Sequence, residues 1–165
     1  MNTLIAFLLS VSCILTSRDN MSVNKNATTI DKMTYPVKNI SISINRPARD
    51  VYQFASQPEN FPKWVAFIQS IARRGDLWIG KTNQGNIQIK WPTPNEFGIL
   101  DHEVTFADGK TVDNPMRVIT NNKGCEFVFT LFRMPGKTTA EFEEDAKLVA
   151  ADLRTLKKIM EKGYQ

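Results

Sequence analysis

The chain has 165 residues, enough for one domain with its own core and no covalent staples. Its 21 basic and 17 acidic side chains leave a net charge of +4, and the bases are scattered apart from the adjoining pairs Arg73-Arg74 and Lys157-Lys158, so the clustered stripe that nucleic-acid binding requires is missing. Two cysteines set up no disulfide framework, and one histidine with one cysteine beyond residue 32 falls short of the three or four ligands of a zinc site; no metal and no cofactor are expected.

Residues 4–15 form an apolar run shorter than the ~20 residues of a membrane-spanning helix. It fits a secretory signal lacking its basic flank, a lipoprotein signal ending at Cys13, or a stretch upstream of a true start at Met21 or Met33. The first two place the protein outside the cytoplasm or on a lipid anchor; the third leaves it cytoplasmic. Residues 17–32 are polar and aperiodic, as in a disordered linker. The expected organisation is a leader and linker over 1–32 and one domain over 33–165, with no stable membrane span in the mature domain. No stretch specifies an oligomeric state.

From Val37 the pattern alternates through Ile40, Ile42 and Ile44, which predicts a half-buried strand. Pro47 suits the first turn of a short helix carrying Val51, Tyr52 and Phe54, and Pro58 opens a second that turns Phe61 and Trp64 inward. Phe67, Ile68 and Ile71 lead into a strand ending at Gly75. Strands over 77–82 and 86–91 are joined by a hairpin at Asn83-Gln84-Gly85, and the second shows clear alternation of Ile87, Ile89 and Trp91. Further strands are expected over 99–107, over 110–120 with a bulge at Pro115, and over 125–132, the last apolar on both faces and hence central.

The tail is the most strongly specified element. Phe142, Ala146, Val149, Leu153, Leu156 and Met160 are spaced four, three, four, three, four, which lays one apolar stripe along a helix over 138–161. Thr138 with Glu141 reads as a capping box, and Lys157, Lys158 and Lys162 sit at the negative end of the helix dipole. At ~1.5 Å per residue this helix is about 36 Å long, enough to cross a small sheet. Strands followed by a terminal helix predict an α+β domain with its helices on one face of an antiparallel sheet.

The order of elements, with Arg46-Pro47-Ala48-Arg49-Asp50-Val51-Tyr52, Pro58-Glu59-Asn60-Phe61-Pro62-Lys63-Trp64, Gly98-Ile99-Leu100-Asp101-His102 and Leu153-Arg154-Thr155-Leu156-Lys157, resembles the START-like superfamily, also called SRPBCC. That group includes polyketide cyclase/dehydrase and lipid-transport proteins, and the resemblance spans nearly everything after residue 36. It implies a helix-grip fold: a curved seven-stranded antiparallel sheet wrapped round a long C-terminal helix, two short helices after the first strand, and a deep apolar cavity. It also implies binding of a lipid, polyketide or aromatic molecule, with catalysis in a minority of members and no residue common to all.

His102 is the one histidine, and alternation puts it on the same face as Leu100, Val104 and Phe106. An imidazole facing a cavity could serve as general acid or base; the plain alternative is a core histidine bonded to a backbone carbonyl. Arg117 either faces inward as the partner of an acidic group or faces outward, paired with Glu126 or Glu103. Trp64, Phe67, Trp91, Phe127 and Phe129 are candidate walls, and Phe142, Val149 and Leu153 a candidate lid, although core packing accounts for any one of them. Cys125 has no base nearby to make it a nucleophile. The leading expectation is therefore a container for a small hydrophobic or amphipathic ligand, with Val104 among its contacts and His102 or Arg117 setting its orientation. A cyclase/dehydratase using His102 without metal, and an interaction module without ligand, are the alternatives.

Overall fold

A computed structural model describes residues 34–163. The chain divides into two units, Met1–Lys32 and Met33–Gln165, and every described residue belongs to the second; the leader and linker over 1–32 lie outside the described residues. The elements run β1 (Val37–Ile44), α1 (Ala48–Ala55), a 3-10 turn (Pro58–Asn60) leading straight into α2 (Phe61–Trp64), β2 (Ser70–Arg74), β3 (Leu77–Thr82), β4 (Gly85–Lys90), β5 (His102–Thr105), β6 (Thr111–Asn114), β7 (Met116–Asn121), β8 (Gly124–Phe132) and α3 (Thr139–Lys162).

The expectation of one seven-stranded sheet is corrected. Eight strands form two antiparallel sheets, β1-β8-β7 and β2-β3-β4-β5-β6. Pro115 is the physical reason. Its ring nitrogen has no hydrogen to give to a ladder, so the strand expected over 110–120 is divided there rather than bulged. Before the proline β6 pairs with β5; after it β7 pairs with β8. Residues 98–100 bridge the seam, for Val118 N donates to Gly98 O at 2.9 Å and Leu100 N to Met116 O at 3.0 Å. The strand expected over 99–107 is accordingly confined to β5, its first residues being spent on β7.

β8 has a neighbour on each side, in register with Ile42 of β1 and Val118 of β7 at Phe127, and so holds the middle of its three-stranded sheet. α3 begins as its sequence specifies. Thr138 Oγ1 accepts from Glu141 N at 3.2 Å and Glu141 Oε2 accepts from Thr138 N at 2.7 Å, so two orphan donors of the first turn are satisfied. Phe142, Leu153, Leu156 and Met160 are buried, with Ala146 and Val149 half-buried between them. Full burial of a leucine contributes about 1.5–3 kcal/mol, so Leu153 and Leu156 alone hold the helix firmly.

Polar contacts fix its placement. Lys157 Nζ donates to Ser43 O at 2.6 Å, Asn45 N donates to Glu161 Oε1 at 2.8 Å, and Lys38 pairs with Glu143, so one flank of α3 is tied along β1. The other flank is tied just after α2, where Ala66 N donates to Asp152 Oδ1 at 3.1 Å. The helix is thereby held at its sides, and its residues from Asp145 to Leu153 border an open space rather than a packed sheet.

Candidate functional site

The space so left is a cavity of about 820 Å³, partly open to solvent. Its buried walls are apolar: Phe61, Val65 and Ile68 from the segment around α2, Ile87 and Ile89 from β4, Val104 from β5, and Leu153 from α3. Its polar lining comes from the turn after β3, the turn after β5 and the segment before α3, together with Asp113 and Asn114 of β6, Asp145 and Asp152 of α3, and the buried His102. Phe67, Phe106 and Leu148 line it too while remaining exposed, which makes them its rim.

Trp64, Phe67, His102, Val104, Phe129, Val149 and Leu153 of the sequence candidates line this cavity. Four do not. Trp91 packs behind His102, its ring 4.8 Å from the imidazole and its Nε1 donating to Ser56 O at 2.8 Å. Phe127 is fully buried and meets the edge of Trp64 at 6.0 Å. Phe142 is buried at the start of the stripe, with Lys38 Nζ 5.8 Å from its ring centre. Arg117 pairs with Asp101 and donates to Met116 O at 2.9 Å, so its partner is neither Glu126 nor Glu103.

His102 combines burial with a fixed tautomer. Its Nδ1 lies 3.1 Å from Leu100 O, and because a carbonyl only accepts, Nδ1 carries the proton. Phe61 meets the ring edge-on at 5.7 Å and Trp91 covers it at 39°. Nε2 makes no hydrogen bond among the described residues and is left as an acceptor. Burial pulls the imidazole down to about 4, outweighing the opposing Leu100 carbonyl, so it is neutral at pH 7.

A stability change with pH follows from this shift. Between about pH 6.5 and 4 the unfolded chain binds a proton at this histidine that the folded chain does not, so stability falls as pH falls through that window. The total loss approaches roughly 3 kcal/mol below pH 4. Urea titrations at pH 7.5, 5.5 and 4.5 should show it, and His102→Phe should flatten the slope; an equal slope in both proteins would assign the loss to other groups.

Some cavity residues carried no sequence signal. Asp152 is half-buried on α3 and lines the cavity, and burial pushes its carboxyl up against the lowering effect of the Ala66 N–H. Its offset of four from Leu148 was the available clue, masked because it breaks the apolar stripe. Trp64 Nε1 is buried without a hydrogen-bond partner. Cys125 is buried and its thiol is pushed up to about 11 by that burial and by the Glu126 carboxylate, so almost no thiolate exists at neutral pH. Among the described residues no three His, Cys, Asp or Glu side chains stand where they could hold a metal ion. Nor is any described helix long and apolar enough to cross a membrane.

No family model and no curated protein matches the sequence. Solved structures do match the fold. They include a START superfamily protein from Mycobacterium smegmatis (10% identical, covering 76% of this chain and 97% of that one, TM-score 0.59) and the Aha1 dimer from Colwellia psychrerythraea (17%, 79% and 99%, TM-score 0.63). Ara h 8.0201 is similar as well (12%, 78% and 99%, TM-score 0.59). The fold is START-like. At these identities the likeness extends to architecture and not to side chains. The cavity described above lies among α2, strands β4 to β8 and the long C-terminal helix of this fold.

Proposed function

We propose that this START-like domain is a container for a small hydrophobic or amphipathic molecule, held between the five-stranded sheet and α3. The observation that carries the reading is an apolar cavity of about 820 Å³ under a helix clamped at both flanks. Cavities of ~300–1,000 Å³ with apolar walls and few polar groups suit drug-sized and lipid-like ligands. Burial of the ligand at roughly 25 cal/mol per Å² supplies the affinity. The exposed Phe67, Phe106 and Leu148 give an apolar molecule a surface to meet on entry.

The test uses a neutral environment-sensitive dye, N-phenyl-1-naphthylamine. Wild type should bind it with a rise in fluorescence. Val149→Trp, which fills the cavity from α3, should weaken binding by about tenfold or more, equivalent to ~1.4 kcal/mol, while leaving the fold intact by circular dichroism. Absence of uptake by wild type, or equal uptake by the filled variant, would count against a container.

A cyclase/dehydratase reading draws support from Asp152, which adds a second titratable group to a cavity already bordered by His102. An imidazole held near 4 is a weak base at neutral pH, and this favours His102 as an orienting acceptor over a proton shuttle. Turnover of a poly-carbonyl substrate that vanishes in His102→Gln would reverse that preference.

A further inference from the structure

We infer that the cavity selects a neutral ligand carrying a hydroxyl, or an equivalent neutral hydrogen-bond donor, and discriminates against carboxylates; the inference rests on the container reading. It follows from what the deep wall offers. Among the described residues only Trp64 and His102 are polar of the buried lining side chains, and Trp64 Nε1 is sealed, exposing less than 1 Å². That leaves His102, whose Nδ1 is committed to Leu100 O and whose ring is fixed between Phe61 and Trp91. Nε2 therefore presents a lone pair, which rewards a donor and gives nothing to a carbonyl, an ether or an ionised acid.

The charges around the opening act in the same direction. Among the described residues Lys110 and Lys137 are the only cations lining the cavity, and each is paired with an aspartate, Asp108 and Asp145. Asp113 and Asp152 line it with no cation paired to them among the described residues. A carboxylate would enter past a net negative rim and be desolvated with no counter-charge at the far end, whereas an alcohol would lose its water and regain one hydrogen bond.

Displacement of bound N-phenyl-1-naphthylamine by 1-dodecanol, dodecyl methyl ether and dodecanoate at pH 7.5 tests this. The alcohol should compete about fivefold better than the ether, as one hydrogen bond allows, and at least about tenfold better than the carboxylate. His102→Phe should bring the alcohol down to the level of the ether. Val149→Trp should weaken all three, placing them in this cavity and not in the smaller crevice of about 330 Å³ that also borders His102. Equal competition by the three, preference for dodecanoate, or bound dye that none displaces would overturn the inference and leave the container standing. No dye binding at all would remove the container and the inference together. The wild-type series decides the matter even if His102→Phe does not fold.

Discussion

Phe127→Ala is expected to lower the unfolding free energy by about 3–5 kcal/mol. The ring is wholly buried at the middle of β8, with Ile42 and Val118 beside it in the flanking strands and the edge of Trp64 at 6.0 Å. Both neighbouring strands are ladder-bonded to β8, so neither can move in to fill the gap. Phe129 provides the comparison. It lies two residues along on the same strand, but it is half-buried and lines the cavity, so Phe129→Ala removes fewer protein contacts and should cost less than half as much. Urea midpoints for the two variants, with slopes unchanged, give the ratio. Equal losses would mean that Phe129 is as much a core residue as Phe127, and that the ligand space is smaller than its outline.

The contrast between these two phenylalanines also marks how far the sequence could be followed. Alternation placed both on one face of one strand, but it cannot distinguish a ring packed on protein from a ring bordering empty space. That depends on what lies across the core, and here Trp64 lies opposite Phe127. The long helix was legible because its cap, its dipole charges and its stripe are all local, and each recurs in α3. Of the face read from alternation around His102, Leu100, His102 and Val104 are buried while Phe106 is exposed. The division into two sheets was not. The alternation of Val112, Met116 and Val118 tells which way side chains point, and it is silent on which neighbour accepts the backbone bonds on either side of Pro115. Arg117 was ambiguous because its partner, Asp101, is brought to it by that seam. Lining residues such as Leu148 and Asp152 depart from the helix stripe, and a departure reads as solvent until the cavity beneath it is known.

That seam is also the place where one methyl group should do most harm. Gly98 has φ +71°, in the left-handed region, and a Cβ there would lie 2.2 Å from the carbonyl oxygen of Val118. The same glycine accepts from Val118 N at 2.9 Å, so its segment cannot move away from β7 without losing one of the two bonds that bridge the seam. The preceding loop is no freer. Asn95 receives Ile99 N at 3.1 Å, donates to Ile99 O at 2.8 Å, and is itself held by Tyr52 through its backbone N–H at 2.8 Å. Gly98→Ala is therefore expected to destabilise by on the order of 4 kcal/mol, at the diagnostic end of single substitutions. Gly109→Ala isolates the dihedral contribution. Its φ is +83° with open space around the Cβ position, so it should cost only about 1–2 kcal/mol. Similar losses at the two positions would show that the strands separate readily and that the seam is soft. If the difference is found, whatever of the Gly98→Ala protein still folds should also bind dodecanol less well, because the displaced backbone runs through Ile99 to Leu100, whose carbonyl fixes the His102 tautomer and leaves Nε2 free to accept.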